Sequence, residues 1–266
     1  MYGFEYHCPG TLADAAALLG KLGESKPLAG GQTLIATMKQ RLAQPSDLVD
    51  LGGIAEMRGI KVEGDTLSIG ALTRHAEVAA SAEVKQRIPA LARLASTIGD
   101  RQVRAMGTIG GSVANNDPAA DYPAGVLGLD GTVVTSKRRI TSADFFTGMY
   151  ETALQPGELI TSISFPVPKR AGYAKFPNPA SRFALVGVFV SQAANGSVRV
   201  AVTGAGPGVF RVAEMEKALA ANFSPDAIAA VKVASSGLNT DLHADAEYRA
   251  HLIGVMAKRA VAAALT

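Results

Sequence analysis

The sequence predicts an α+β chain of two domains, and three observations carry that expectation. At 266 residues, 48% hydrophobic and 18% charged, the chain exceeds one small module and holds ample material for a core. Short runs of alternating apolar and polar residues are interspersed with runs at helical spacing. Between them, Pro166-Val167-Pro168-Lys169-Arg170 sets two prolines behind an apparent strand, which places a boundary between a domain over 1–168 and another over 169–266.

The elements follow in order. Phe4, Tyr6 and Cys8 alternate with polar neighbours and predict a first strand. Thr11 precedes an Ala- and Leu-rich run and predicts a capped helix over 12–22. Pro27-Leu28-Ala29 leads into a glycine turn, with a helix expected over 34–42 and a buried strand over 47–51. Alternation over 60–63 and 66–69 around Gly64-Asp65 predicts a hairpin. Thr73 is expected to cap a helix running to 80, and Pro89 to open another over 89–98. The stretch 107–121, rich in Gly, Asn and Asp, reads as a long loop. Strands follow at 133–134 and 159–165. Beyond the boundary, 183–192 and 197–203 form a hairpin around Asn195-Gly196, and helices are expected over 213–221, 225–234 and 246–265.

Charge and cysteine count exclude several classes. A net charge of +3 without clustered Lys or Arg does not indicate nucleic acid, and Lys137-Arg138-Arg139 reads as a solvated hairpin turn. The single cysteine, Cys8, permits neither an internal disulfide nor an iron–sulfur cluster, and fits a reducing cytoplasm. Residues 1–10 show no signal peptide. The run 184–190 is far short of the ~20 residues that span a membrane, and reads as a buried strand.

Two glycine loops carry the chemistry. Ala29-Gly30-Gly31-Gln32-Thr33 lies between an apparent strand and an apparent helix that begins at Leu34. Paired glycines let backbone approach a ligand closely, and N–H groups left unpaired there can converge on one anion, such as a pyrophosphate. The second loop, Gly107-Thr108-Ile109-Gly110-Gly111-Ser112, runs on to Asn115-Asn116-Asp117-Pro118-Ala119-Ala120-Asp121-Tyr122-Pro123 and adds two carboxylates and two amides able to bond hydroxyl groups. Read alone, Asp117 is equally a turn former and Asp121 a residue near a helix start. Neither loop has the Gly-x-Gly-x-x-Gly dinucleotide fingerprint, and Gly204-Ala205-Gly206-Pro207-Gly208 reads as a plain turn. His7, His75, His243 and His251 lack metal-ligand pairing and read as surface or satisfied histidines. No Gly-x-Ser-x-Gly elbow anchors a hydrolase, and Glu151 and Glu158 read as solvated loop residues.

Ala29-Gly30-Gly31-Gln32-Thr33, Gly107-Thr108-Ile109-Gly110-Gly111-Ser112 and the run 117–123, with Phe145-Phe146-Thr147-Gly148, Pro156-Gly157-Glu158-Leu159-Ile160 and Tyr173-Ala174-Lys175-Phe176, resemble the FAD-binding medium subunits of the molybdenum hydroxylases, the family of xanthine dehydrogenase and carbon monoxide dehydrogenase flavoproteins. Six segments match in order and spacing, over most of the chain. The resemblance implies a two-subdomain FAD domain of the PCMH (vanillyl-alcohol oxidase-like) type, then a smaller α+β domain of the CO dehydrogenase flavoprotein type. It implies that Ala29, Gly30, Gly31, Gln32, Thr33 and Leu34 hold the FAD pyrophosphate. Thr108, Ile109, Gly110, Gly111, Ser112, Asn115 and Asp121 would meet the pyrophosphate and the ribityl or adenosine part. Asp117 joins this set, at a position where the family varies. Ile160 would pack near the isoalloxazine and Lys175 near its polar edge. Without the resemblance, Lys175 reads as a surface lysine, Ile160 as core and Tyr173 as a half-buried strand residue.

The implied role is electron relay. An iron–sulfur small subunit and a molybdenum-cofactor large subunit would join this chain in a dimer of heterotrimers, and FAD would pass electrons to an external acceptor. A self-sufficient flavin oxidoreductase and a flavin-free assembly protein stand as rival readings. No catalytic side chain and no metal ligand is expected on this chain.

Overall fold

The computed structural model describes residues 1–266. The first unit is a three-stranded parallel sheet, with β3 (Asp47–Asp50) between β1 (Glu5–His7) and β2 (Ser25–Leu28). Helix α1 (Leu12–Lys21) starts where the Thr11 hydroxyl accepts the Asp14 N–H at 3.1 Å. Helix α2 (Leu34–Lys39) follows β2 across the first glycine loop.

The second unit is an antiparallel sheet of β4 (Ile60–Glu63), β5 (Thr66–Gly70), β10 (Ile160–Pro166), β6 (Thr132–Thr135) and β7 (Arg139–Thr141), in that spatial order. Helices α3 (His75–Ala80), α4 (Ala82–Arg87), α5 (Pro89–Ser96), α6 (Arg101–Met106), α7 (Ile109–Asn115) and α8 (Tyr122–Gly128) intervene between β5 and β6. A short α9 (Ser142–Phe145) and a small ribbon, β8 (Phe146–Gly148) with β9 (Glu151–Thr152), precede β10.

The third unit orders β11 (Arg170–Pro177), β12 (Ala184–Gln192), β13 (Val198–Thr203) and β14 (Phe210–Arg211) in an antiparallel sheet, followed by α10 (Ala213–Ala221) and α11 (Ala246–Ala263). Its central strand is buried on both faces. Val186, Val188 and Val190 pack toward Leu252, Ile253 and Met256 of α11, while Phe189 belongs to the core of the preceding unit. An added Cβ at Gly128 of α8 would lie 2.9 Å from the Phe189 ring. A strand covered twice has no polar face, which explains its unbroken apolar run.

Several expectations differ from the structure. Thr73 does not cap α3: its hydroxyl bridges Gly59, accepting the N–H and donating to the carbonyl, both at 3.1 Å. The Arg74 N–H donates instead to the Glu77 carboxylate. The stretch 107–121 is not one loop, because α7 runs through it, and α6 and α8 flank it. Helix α8 is buried all round, so it shows no amphipathic period. The helix expected over 225–234 shrinks to one tight turn, Pro225–Ile228; beyond it Val231 and Val233 are β-branched. The basic hairpin turn is not merely solvated, since Arg138 Nε sits 3.1 Å from the Glu158 carboxylate. Glu158 is itself buried rather than solvated. Burial alone would raise its carboxyl, but Arg138, Thr135 and the Gln155 N–H outweigh that and hold it at about 2.

Backbone packs directly on backbone where β11 meets α11. A Cβ added at Gly172 would collide with the Ala260 carbonyl and lie 2.9 Å from the Ala264 nitrogen. Gly172→Ala is expected to cost about 1–3 kcal/mol in a denaturant titration. Gly254→Ala, at a helical position with open space around it, should leave stability unchanged or raise it by up to ~1 kcal/mol.

Candidate functional site

Strand β2 ends at Leu28 and releases the chain into Ala29-Gly30-Gly31-Gln32-Thr33. Gly31 takes φ +70°, a conformation that favours glycine. The N–H groups of Gly30, Gly31, Gln32 and Thr33 donate to no backbone carbonyl, and Thr33 places no side-chain cap over α2. Gln32 and Thr33 are exposed and Leu34 is half-buried. Four consecutive donors therefore stand open to a ligand.

The second loop lies against the first. A Cβ at Gly30 would strike the Met106 carbonyl and sit 2.7 Å from the Gly107 Cα, and one at Gly111 would be 3.7 Å from the Ala29 side chain. Most of its own donors are engaged, however. Ile109 N–H bonds Thr73 O at 3.1 Å, Gly110 N–H bonds Ala71 O at 2.8 Å, and Ser112 N–H bonds Thr108 O at 3.0 Å. Gly111 N–H reaches the Thr108 hydroxyl at 3.2 Å. The glycine pair there serves protein packing, because a Cβ at Gly110 would meet Ala71 at 2.5 Å. In the second loop only the Thr108 N–H bonds no protein acceptor, so most of the open backbone donors belong to the first loop. What the second loop offers is the half-buried Ser112 and Asn115 side chains. Strand β10 runs beneath: Thr161 O accepts the Ala71 N–H at 2.9 Å, so β10 and α7 share Ala71 as a spacer. Ile160 is itself core.

Asp117 and Asp121 have separate jobs. Asp117 accepts the Ala119 N–H at 2.9 Å and shapes a turn. Beside it Asn116 is a left-handed cap, φ +42°, whose amide donates to the Gly148 and Glu151 carbonyls at 2.9 and 2.8 Å. Asp121 begins α8 but makes no side-chain cap there. Its carboxylate accepts the Tyr173 hydroxyl and lies 3.0 Å from Lys175 Nζ. Lys175 also donates to Thr97 O at 2.8 Å and Arg182 O at 3.0 Å, so all its protons are placed. With a side chain only 5% exposed, it is a buried lysine and not a surface one. Burial pushes the Asp121 carboxyl up, and Lys175 and Tyr173 pull it back down. Burial and the Asp121 charge raise the Tyr173 phenol far above its usual range, which keeps it a donor.

The fold thus brings the two glycine loops together, keeps Ile160 in the core beside Thr161, and sets Asp121 with Lys175 in a second cluster. One partner was not legible in sequence. His75 is buried behind the second loop: its Nε2 would be 2.6 Å from a Cβ at Gly107. Its Nδ1 and the nearby Tyr122 hydroxyl have no partner, so it is neither a surface nor a satisfied histidine. No pattern of spacing marks such a residue, because the burial comes from α5–α8 folding over it.

Two family models cover nearly the whole chain. That for the FAD binding domain in molybdopterin dehydrogenase matches residues 2–168, and that for the CO dehydrogenase flavoprotein C-terminal domain matches 171–264. The chain belongs to the flavoproteins of the molybdopterin dehydrogenases. Among similar proteins, the carbon monoxide dehydrogenase medium chain of Hydrogenophaga pseudoflava is 36% identical, covering 98% of this chain and 96% of its own. The nicotine 6-hydroxylase medium subunit of Paenarthrobacter nicotinovorans is 35% identical, over 96% and 95%. In structure, a chain of reconstituted CO dehydrogenase from Oligotropha carboxidovorans matches with TM-score 0.91 and 36% identity, over 99% of this chain and 98% of its own. FAD is accordingly the cofactor of this flavoprotein, which is a subunit of a multi-subunit oxidoreductase. No helix of the flavoprotein is long and apolar enough to cross a membrane.

Two outcomes follow for the clusters. Lys175→Met should destabilise the flavoprotein by about 3–5 kcal/mol by stranding the Asp121 carboxylate, and Asp121→Asn in the same chain should recover part of that loss in a urea titration. His75 is lowered from 6.5 to about 4 by burial and, second, by Arg104. The unfolded chain therefore takes its proton first, and stability is lost as pH falls from 6.5 through 4, by about 3 kcal/mol for this group. His75→Gln should flatten that part of the stability–pH curve; an unchanged slope would remove His75 from the account.

Proposed function

We propose that the first loop is the pyrophosphate cradle of FAD and that this chain relays electrons between partner subunits and an external acceptor. The observation that carries it is the row of four open N–H groups, Gly30 to Thr33, set against the second glycine loop. A diphosphate needs donors and room for close approach, and this place has both. Ser112, Asn115 and the Thr108 hydroxyl would flank the cradle, Ile160 would pack near the flavin ring, and Asp121 with Lys175 would support its polar edge by fixing β11. Residues 1–168 form the FAD-binding domain and 169–266 the smaller domain.

FAD, when bound, supplies a carrier that takes up two electrons and passes them on. The chain's own part is to hold and orient it. Its one cysteine, Cys8, cannot hold an iron–sulfur cluster, so single electrons come from clusters on another subunit. A molybdenum-cofactor subunit would oxidise the organic substrate, and the assembly would be a cytoplasmic dimer of heterotrimers; the name medium chain, carried by the carbon monoxide dehydrogenase relative, supports an assembly of several subunits.

The test compares two glycines of similar strain. Gly31 and Gly237 have φ +70° and +81°, and Gly237 has open space around it, away from the loops. Gly31→Val should lower FAD affinity at least about tenfold, a loss near 1.4 kcal/mol, while Gly237→Val keeps it. Equal flavin content per folded molecule in both variants defeats the cradle. With organic substrate, the FAD-loaded chain alone should show no flavin bleaching until both partner subunits are added; bleaching by the chain alone points to the self-sufficient enzyme.

A further inference from the structure

A large cleft lies away from both glycine loops. Its volume is about 940 Å³, and it runs between α5–α6 on one side and the edge strand β11 with the end of α11 on the other. None of residues 29–34 or 108–112 lines it. Five of its nineteen lining residues are cationic, Arg93, Arg104, Lys175, Arg182 and Arg259, and none is an aspartate or glutamate.

Two of these cations are already occupied. Lys175 is paired with Asp121, and Arg104 donates to Ile98 O at 2.9 Å and Gly99 O at 3.0 Å. Arg93, Arg182 and Arg259 take part in none of the chain's ion pairs and are exposed. They come from three separate places, α5, the β11–β12 connection and α11, and converge on one cleft. The connection that carries Arg182 is braced. Arg182 N–H donates to Asn178 O at 2.8 Å, Asn178 Oδ1 accepts the Ala180 N–H at 2.9 Å, and Arg182 O holds Lys175.

We propose that this cleft is a second ligand site, which takes a nucleotide-sized anion carrying two or more phosphates. Guanidinium forks match phosphate oxygens in pairs, and three on separate walls suit several phosphate oxygens spread over one ligand better than a single small ion. Pro89, Ala90, Ala171 and Pro179 supply apolar wall for a base or sugar. The volume is that of a small-molecule pocket, typically 300–1,000 Å³. The inference rests on these residues and not on the FAD cradle.

The experiment titrates ADP, with adenosine as the uncharged comparison, into the full chain saturated with FAD, by calorimetry at low salt. ADP should bind at one saturable site with Kd below about 1 mM, weaken steeply with added salt, and adenosine should not bind. R93A/R259A should reduce ADP affinity about tenfold or more, with flavin content and melting temperature unchanged, since neither side chain has a protein ion-pair partner to lose. The proposal is overturned if ADP shows no saturation up to about 5 mM, if adenosine binds as well as ADP, if R93A/R259A binds like the parent, or if ADP binds only to the FAD-stripped chain, which would place it in the cofactor's own cradle.

Discussion

The Asp121 carboxylate, closed off from water and shared between Lys175 and Tyr173, joins the C-terminal sheet to the helical face of the FAD domain. Removing a carboxylate and an ammonium from water is tolerable only where each finds partners for its remaining bonding capacity. Lys175 finds them in the Thr97 and Arg182 carbonyls. The same junction is stitched by neutral bonds from the segment just before it. Gly204 N–H donates to Pro118 O at 2.8 Å, Ala184 N–H to Ala119 O at 3.2 Å, and the Thr203 hydroxyl to Ala120 O at 2.6 Å. Residues 117–121 are therefore a clamp between domains, and their position sets where α7 ends and α8 begins.

That clamp bears on the glycine loops through α7. The second loop forms the first turn of α7, and its donors are tied to Ala71, Thr73 and Thr108. Bound in this way, it is held fixed by the protein, and it lies so close to the first loop that a Cβ at Gly30 would strike the Met106 carbonyl. The first loop is left with its N–H groups open. A site whose donors are prearranged before the ligand arrives loses less in ordering when it binds. The two loops have complementary parts: one is held fixed by the protein, and the other is held open beside it.

A carrier subunit needs such fixity more than it needs reactive side chains. The redox chemistry belongs to the cofactor, and the protein governs its placement. Buried His75 fits this economy of reactive groups, since burial and Arg104 keep it neutral over the ordinary pH range. The fold invests its buried polar groups in joints, Asp121 with Lys175, Glu158 with Arg138 and Arg249 with Asp241, and not in an acid–base pair.

Local pattern alone determined the elements whose periodicity is their own: the Thr11-capped helix, the Gly64-Asp65 and Asn195-Gly196 hairpins, the double-sided strand over 184–192 and the final long helix. Motif spacing also marked the two glycine loops and, through resemblance, the family and its cofactor. The order of six segments survives in sequence because each occupies a fixed place in the fold. Tertiary structure decided the rest. That the Ile109 and Gly110 N–H groups are spent within the protein depends on Thr73 and Ala71, residues remote in sequence from that loop, and no spacing rule reaches them. Lys175 became a buried ion-pair partner because β11 sets it beside Asp121, 54 residues away. Helix α8 and the 225–234 segment eluded periodicity for opposite reasons, one covered on every side and the other never packed into a helix. Burial is a property of the assembled layers, so a polar residue's role is known only once its neighbours have arrived.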